Sequence, residues 1–202
     1  MLNIVLVFMA YLLGSISFAV LMSKVFGLPD PRSYGSGNPG ATNVLRSGKK
    51  AAAALTLLGD AAKGWIAVFA AIHFSAGTPF DATFVALVGL AVFFGHLFPV
   101  FLRFKGGKGV ATAFGVLLAL NIVVGLGALL TWLFVALVFR YSSLAALSAA
   151  AASPVYMMMM SLPMEYVLAS VAISLLLMWR HKKNIRNLMD GKETQINMRG
   201  SA

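Results

Sequence analysis

The stretch VATAFGVLLALNIVVGLGALLTWLFVALVF, Val110–Phe139, runs for thirty residues without a charged side chain. A helix crossing the hydrocarbon core of a bilayer takes about 20 apolar residues, with a range of about 17–25. Read as one helix, the stretch is overlong and scatters the basic residues. Arg140 and the cluster His181, Lys182, Lys183 and Arg186 then fall on the opposite side from Arg32, Arg46, Lys49 and Lys50. Read as two helices broken near Asn121, the clusters Lys24–Lys50, Arg103–Lys108, Arg140 and His181–Arg186 all share one face. The other face holds the turn Gly77–Asp81, the Asn121 turn and Ser161–Glu165, with no Lys or Arg among them. Positive residues concentrate on the cytoplasmic side of membrane proteins, so the charges select the broken reading.

The remaining spans follow by working outward. Leu2–Val25 reads as the first, Lys63–Ala76 as the core of the second, and Thr83–Leu102 as the third. Gly109–Leu120 is a short fourth, and the uncharged stretch then continues to Phe139 as the fifth. Ser143–Met160 and Tyr166–Trp179 are the sixth and seventh. The expected fold is an all-α integral membrane protein of seven transmembrane helices, one of them short. Its N-terminus lies outside and its C-terminus in the cytoplasm. Residues 1–193 are expected to form one polytopic domain and 194–202 a C-terminal tail. Met1–Phe26 lacks a charged leading region and a small-residue cleavage site, so it reads as a span rather than a removed leader.

Composition agrees with a membrane protein. Apolar residues make up 60% of the chain and charged residues 11%, against about 25% charged in a soluble domain. The mean hydropathy is +0.87. A net charge of +10 on a soluble protein would point to nucleic acid. Here the basic residues flank apolar segments, where topology and lipid headgroups account for Lys24, Lys49, Lys50, Lys182 and Lys183, and no nucleic-acid partner is expected. There is no cysteine, which excludes disulfides, thiolate metal sites and cysteine nucleophiles. Six acidic residues (Asp30, Asp60, Asp81, Glu165, Asp190 and Glu193) are too few for a carboxylate-rich magnesium site. No metal and no cofactor are expected.

Two glycine- and base-rich loops interrupt the apolar background: SGNPGATNVLR, Ser36–Arg46, and RFKGGKGVAT, Arg103–Thr112. Glycine lets backbone N–H groups crowd around an anion, and Arg or Lys supplies the matching charge. In the first loop Gly35, Gly37 and Gly40 flank Pro39, while Ser36, Asn38, Thr42 and Asn43 offer short polar side chains. A plain Pro-Gly turn does not need four such side chains. Gly40–Leu45, including Ala41, reads as a helical turn with amides aimed at a phosphate. The second loop supplies Lys105, Gly106, Gly107 and Lys108 at the start of the short helix. GxxxxGK[ST] is absent, so neither is a P-loop. Together they suggest a site for a phosphorylated molecule at the membrane surface.

Four other features stand out. Asp60 and Lys63, three apart on a helix, can pair, either structurally or as part of a site. His96, near the cytoplasmic end of its span, is expected to bond a neighbouring helix or to support the site. His73, near the other end, reads as structural, and Met157–Met160 reads as flexible packing or lipid contact. HKKNIRNLMDGKE, His181–Glu193, reads as an amphipathic helix on the membrane surface that brings His181 and Asn184 beside the loops.

These residues together resemble the bacterial membrane glycerol-3-phosphate acyltransferases that use acyl phosphate as donor, the PlsY family. The resemblance rests on SGNPGATNVLR, on GHLFPVFLRFKGGKGVAT (Gly95–Thr112), on His181–Glu193, on the Asp60/Lys63 spacing and on RYSSL (Arg140–Leu144). It spans Leu2–Glu193. Where the family commonly has an arginine this chain has Asn187, with Arg186 one place earlier. The resemblance implies acylation of the 1-hydroxyl of glycerol 3-phosphate, giving lysophosphatidic acid and phosphate. It implies no acyl-CoA or acyl-carrier-protein donor, and a cytoplasmic-side site in the bacterial inner membrane.

Acyl phosphate is already activated, so no covalent enzyme intermediate is expected. The HxxxxD pair of soluble glycerolipid acyltransferases is missing, because the positions five after each histidine are Thr78, Phe101 and Arg186. Two anionic substrates need cations, and the loops supply them. Backbone and side chains of Ser36–Asn43 are expected to hold the donor phosphate and the carbonyl oxyanion. Arg46, Lys105, Ser143, His181 and Asn184 are expected to hold glycerol 3-phosphate, with Ser36, Arg46, Lys105 and His181 closest to the chemistry. The proton acceptor is His181 or a substrate phosphate oxygen. A transporter of an organic phosphate would use the same cations, but its site usually lies near the bilayer midplane, not at one surface. An inert scaffold leaves the glycine loops unexplained.

Overall fold

The computed structural model describes residues 2–75 and 81–196, and among these every regular element is helical. The helices are α1 (Leu2–Gly14), α2 (Phe18–Val25), α3 (Ala41–Leu45), α4 (Lys50–Ser75), α5 (Asp81–Leu97), α6 (Val110–Leu120), α7 (Ile122–Phe139), α8 (Ser142–Met159), α9 (Met164–Arg180) and α10 (Lys182–Met189). Of the turn expected at Gly77–Asp81 only Asp81 is described, as the first residue of α5; the rest of that turn and the tail beyond Ile196 lie outside the described residues. Four helices are long and apolar enough to cross a membrane alone, and the bent pair α1–α2 makes a fifth. The short α6 is apolar as well, and the 17-residue α9 lies where the seventh span is expected, so by length and composition the described residues give four to five spans.

The break at Asn121 has a local cause. Asn121 takes an extended backbone (φ −162°, ψ 123°) and N-caps α7, its Oδ1 accepting from Val123 N at 2.9 Å and Val124 N at 3.1 Å. Asn is among the strongest N-cap residues, because its side chain replaces a missing backbone acceptor.

The expected first span is not one helix. It bends by 45° at Ser15–Ser17, and Lys63 explains how the break survives. Its fully buried ammonium donates to Gly14 O at 2.9 Å and Ile16 O at 2.7 Å, and lies 2.8 Å from Asp60 Oδ1. All three ammonium donors are matched, two of them to carbonyls freed by the break. An unpaired carbonyl in the membrane would be costly, so the cation belongs to the fold of α1–α2. The third span also ends early, at Leu97, and a 3-10 turn over Val100–Leu102 follows. Pro99 explains this: it lacks the N–H that a continuing helix needs, and it pushes Phe98 away from helical geometry. The second span starts at Lys50, ahead of the expected Lys63 core.

Small residues set the helix spacing. A Cβ on Gly64 would strike the Thr112 carbonyl, and one on Gly115 would strike the Ala61 carbonyl, so α4 and α6 touch backbone to backbone. Gly14 and Gly95 do the same for α1 and α5. Close approach through glycine is how helices associate where lipid removes the hydrophobic drive. The short α6 is thereby held within the bundle, against a core that includes Val68, Val88, Phe93, Leu97 and Val116. Leu130, Phe134 and Leu137 of α7 are largely exposed, as a lipid-facing surface requires.

Candidate active site at one end of the bundle

The first loop is built around Asn43. Its buried side chain accepts from Ser36 N at 3.0 Å and donates to Pro31 O at 2.6 Å and Tyr34 O at 3.2 Å. Gly35 and Gly37 take left-handed conformations, with φ +57° and +67°, which glycine adopts without strain. A Cβ on Gly35 would overlap Asn43 Oδ1 and sit 3.3 Å from the Arg46 side chain. Asn43 therefore ties the loop to itself, and its amide is already fully engaged. Arg46 lies exposed across Gly35. Ser36, Gly37 and Thr42 are exposed, while Asn38, Gly40 and Ala41 are half-buried.

The second loop reverses sharply. Arg103 and Phe104 both have positive φ, 52° and 62°, which is uncommon outside glycine and marks a backbone held by its surroundings. Gly106 and Gly107 are buried against the end of α5. Gly107 N donates to His96 O at 3.1 Å, and a Cβ on Gly107 would overlap His96 Nε2 and crowd the Pro39 carbonyl. This contact joins the two glycine loops. His96 is buried, with Nδ1 3.2 Å from Thr112 Oγ1 and 3.5 Å from Asp60 Oδ1. The Asp60–Lys63–His96 cluster thus underlies the second loop and links it to the α1–α2 break.

Arg180 is a member of the site that sequence reading missed. From the end of α9 its Nε donates to Gly107 O at 3.1 Å and its terminal nitrogen to Gly106 O at 2.6 Å. The guanidinium also lies over the rings of Phe98 and Trp179. In the sequence it reads as an ordinary arginine closing a span, and nothing local marks it as a loop clamp. Arg32 was also missed. It pairs with Asp30 at 2.6 Å, which holds the Asp30 carboxyl below its usual range. Arg32, Gly37, Pro39, Lys105, Gly106 and Arg180 are among the residues lining an open cleft of about 670 Å³.

The third part comes from α8, α10 and the chain after it. Lys108 Nζ donates to Asn184 Oδ1 at 2.5 Å. Asn184 Nδ2 and Ser143 Oγ both donate to Glu193 Oε1 at 2.6 Å. Burial pushes Lys108 down to about 8; the Glu193 charge opposes this, and the positive charges of Arg46, Arg180 and Lys183 add to it. His181 is buried and pushed down to about 4, first by burial and then by the Lys108 charge. It is therefore neutral near pH 7. Its Nδ1 lies 2.8 Å from the Leu177 carbonyl, which can only accept, so Nδ1 carries the proton and Nε2 keeps its lone pair. Asn184 thus meets Lys108 of the second loop directly, Ser143 joins it through Glu193, and His181 lies within reach of the Lys108 charge. Among the described residues no group of three His, Cys, Asp or Glu side chains could hold a metal ion.

A bundle of apolar helices with a cationic, glycine-built cradle at one end defines a membrane protein that handles phosphorylated molecules. Comparison with known proteins narrows that class. Residues 4–191 match the family described as glycerol-3-phosphate acyltransferase. The glycerol-3-phosphate acyltransferase of Paraburkholderia phytofirmans is 58% identical over 194 residues, covering 96% of this chain and 91% of that one. That of Janthinobacterium sp. (strain Marseille) is 62% identical over 187 residues, covering 93% of each. The crystal structure of PlsY (YgiH), an integral membrane glycerol 3-phosphate acyltransferase, in its glycerol 3-phosphate form matches with a TM-score of 0.91 at 38% identity, over 96% of both chains. Its lysophosphatidic acid form matches with a TM-score of 0.89 at 37% identity, over 96% of this chain and 95% of that one. The chain belongs to the glycerol-3-phosphate acyltransferase family, and it is an integral membrane acyltransferase of the PlsY kind.

Proposed function

We propose that the protein transfers a fatty acyl group from acyl phosphate to the 1-hydroxyl of glycerol 3-phosphate at the cytoplasmic face of the bacterial inner membrane. The observation that carries this reading is the junction of the two glycine loops at Gly107 and Pro39, ringed by Arg46, Lys105, Lys108 and Arg180. Two phosphorylated reactants repel each other, and only a dense group of cations and amides can hold both. The basic clusters after α2, α5, α7 and α9 meet at this one end, which supports a cytoplasmic C-terminus and an N-terminus outside.

Within Ser36–Asn43 the amides of Ser36, Gly37, Gly40 and Asn43 are taken up by the loop itself, so those of Asn38, Ala41 and Thr42, with the cleft beside Lys105, receive the donor phosphate and face the developing oxyanion. Arg46, Lys105, Lys108, Ser143 and Asn184 hold glycerol 3-phosphate, and His181 Nε2 accepts a hydrogen bond from its 1-hydroxyl. Orientation of that hydroxyl against the carbonyl supplies much of the rate. The hydroxyl oxygen bonds to the acyl carbon, and the carbon–oxygen bond to phosphate breaks. The proton ends on a phosphate oxygen, because an imidazole near 4 holds a proton more weakly than a phosphate whose second pKa is about 6. The donor arrives activated, and the chain has no cysteine to form a thioester, so transfer is direct. Asp60, Lys63, His96 and Asn43 position the loops.

The test is incubation of purified protein with palmitoyl phosphate and glycerol 3-phosphate, following lysolipid and phosphate. Stoichiometric release of both is expected, with no turnover of palmitoyl-CoA. Inertness toward acyl phosphate, or flux of labelled glycerol 3-phosphate into sealed vesicles without lipid product, would overturn the reading in favour of a transporter.

A further inference from the structure

One guanidinium takes two consecutive carbonyls of the second loop. Arg180 closes α9; its Nε donates to Gly107 O at 3.1 Å and a terminal nitrogen donates to Gly106 O at 2.6 Å. The N–H of the Gly106–Gly107 peptide, on Gly107, donates to His96 O at 3.1 Å. A trans peptide carries its C=O and N–H on opposite edges. This one is therefore gripped at both edges, by α9 on one side and by α5 on the other.

The loop needs that grip. Gly106 and Gly107 are required by space: a Cβ on Gly106 would overlap the His96 and Leu97 carbonyls, and one on Gly107 would overlap His96 Nε2. Two glycines in a row also leave the backbone free to turn. Lys105 precedes the pair and Lys108 follows it. Lys105 N is tied back to Leu102 O at 3.2 Å, so the directions of both lysines depend on the peptide pinned between them. The guanidinium is itself aimed by packing. Its carbon lies 5.9 Å from the Phe98 ring centroid and 5.8 Å from that of Trp179, and the two rings lie 6.1 Å apart. Phe98 follows α5 directly and Trp179 precedes Arg180, so the planar cation is held where two helix ends meet the loop. A lysine ammonium here would sit near the guanidinium carbon, short of both carbonyls, and would lack the planar fork.

We propose that Arg180 is a positioning residue for the acceptor: its paired bonds to Gly106 and Gly107 set Lys105 and Lys108 in place for glycerol 3-phosphate. The proposal rests on the reading that those lysines hold that substrate. Arg180 acts through its shape, as a fork across two carbonyls, and its charge alone does not suffice. The free amides assigned to the donor phosphate belong to the first loop, which Arg180 does not bond. Loosening the fork therefore weakens the acceptor more than the donor.

Arg180→Lys keeps the charge and loses the fork, and Arg180→Ala loses both. In the purified enzyme each is expected to raise KM for glycerol 3-phosphate by about tenfold or more. KM for palmitoyl phosphate and kcat should each change by less than about threefold. Guanidinium added to Arg180→Ala should restore part of the lost acceptor affinity, because it can bridge both carbonyls, and methylammonium should not. Phe98→Leu keeps the cation and removes one ring, so it should raise the same KM by about two- to fivefold; this variant decides the matter if Arg180→Ala does not fold. Near-native KM in Arg180→Lys, or no difference between guanidinium and methylammonium, overturns the positioning role. So does an equal rise in KM for both substrates that tracks a fall in the thermal midpoint, which marks a merely structural arginine. Lys105→Ala separates this from the underlying reading. If it leaves KM for glycerol 3-phosphate unchanged, the site assignment itself fails, whatever Arg180 does.

Discussion

Asn43→Asp is nearly isosteric and tests whether Asn43 shapes the loop or touches substrate. The native amide accepts one bond, from Ser36 N, and donates two, to Pro31 O and Tyr34 O. A carboxylate keeps the accepted bond and loses both donated ones. It also places a negative oxygen against two carbonyls inside a buried pocket, since Asn43 is 2% exposed. Each lost bond is worth about 0.5–1.5 kcal/mol, and leaving a buried acceptor unmatched costs about 1–3 kcal/mol. The ordered loop is thus destabilised by about 2–5 kcal/mol, or about 30- to 3,000-fold in its population at about 1.4 kcal/mol per decade. In a purified-enzyme assay kcat/KM should fall by that order for both acyl phosphate and glycerol 3-phosphate. The thermal midpoint should move little, because the loop lies outside the helix bundle. Activity should recover partly below about pH 5, where the introduced carboxyl gains a proton and can donate to one carbonyl again. Near-native kinetics would refute the keystone role. A rise in KM for one substrate alone, with kcat intact, would instead make Asn43 a direct ligand.

Lys63→Met leaves the Asp60 carboxylate and the Gly14 and Ile16 carbonyls without their cation; breaking a buried pair in this way costs about 3–5 kcal/mol, which thermal unfolding in detergent would read, and adding Asp60→Asn should restore part of the loss. Arg46→Ala and Lys105→Ala should each lower kcat/KM by about tenfold or more, consistent with loss of a charge-assisted bond to phosphate, and near-native kinetics in either would remove that residue from the site. Lys108, depressed to about 8, loses its charge as pH rises through that value, so kcat/KM for glycerol 3-phosphate should decline above about pH 8, with the limb moved upward in Lys108→Arg. His181, near 4, is neutral across pH 5–8 and should contribute no limb there. Gly107→Ala places a methyl group against His96 and the Pro39 carbonyl, and should reduce activity by separating the two loops.

The parts of the fold legible in the sequence are those carried by local pattern. The uncharged run Val110–Phe139 had to contain a break, and Asn121 supplies the cap that makes one. The glycine loops announced themselves because glycine and lysine are out of place in an apolar chain. Lys63 was visible as a costly intramembrane charge, but its partners on α1 were not. Nothing near Gly14 says that a lysine 49 positions later will hold its carbonyl. The kink of the first span was invisible for the same reason, since Leu2–Val25 is apolar enough to run straight.

The candidate site divides in the same way. Lys105, Lys108, Ser143, His181 and Asn184 stood out by residue type and by their place at span ends, and all lie at one end of the bundle. Asn43 stood out too, but its amide proved to be occupied by its own loop. Arg180 did not stand out, because an arginine closing a span is what topology alone requires. Glu193 passed as one acidic residue in a surface helix. Only the return of residues 192–196 onto α8 brings it to Ser143, 50 positions away.

By itself the sequence determined where the chain is soluble in lipid, which end of the bundle is positive, and which two loops can wrap an anion. These are properties of composition and short-range spacing, set by the cost of burying charge and by the freedom of glycine. The tertiary structure decided which cation meets which carbonyl, which loop amide is spent on the loop itself, and which carboxylate meets Ser143 and Asn184. Those pairings join residues far apart in the chain, 74 positions between Arg180 and Gly106 and 76 between Lys108 and Asn184, and helix packing selects them, because no local pattern encodes the distance between two distant side chains.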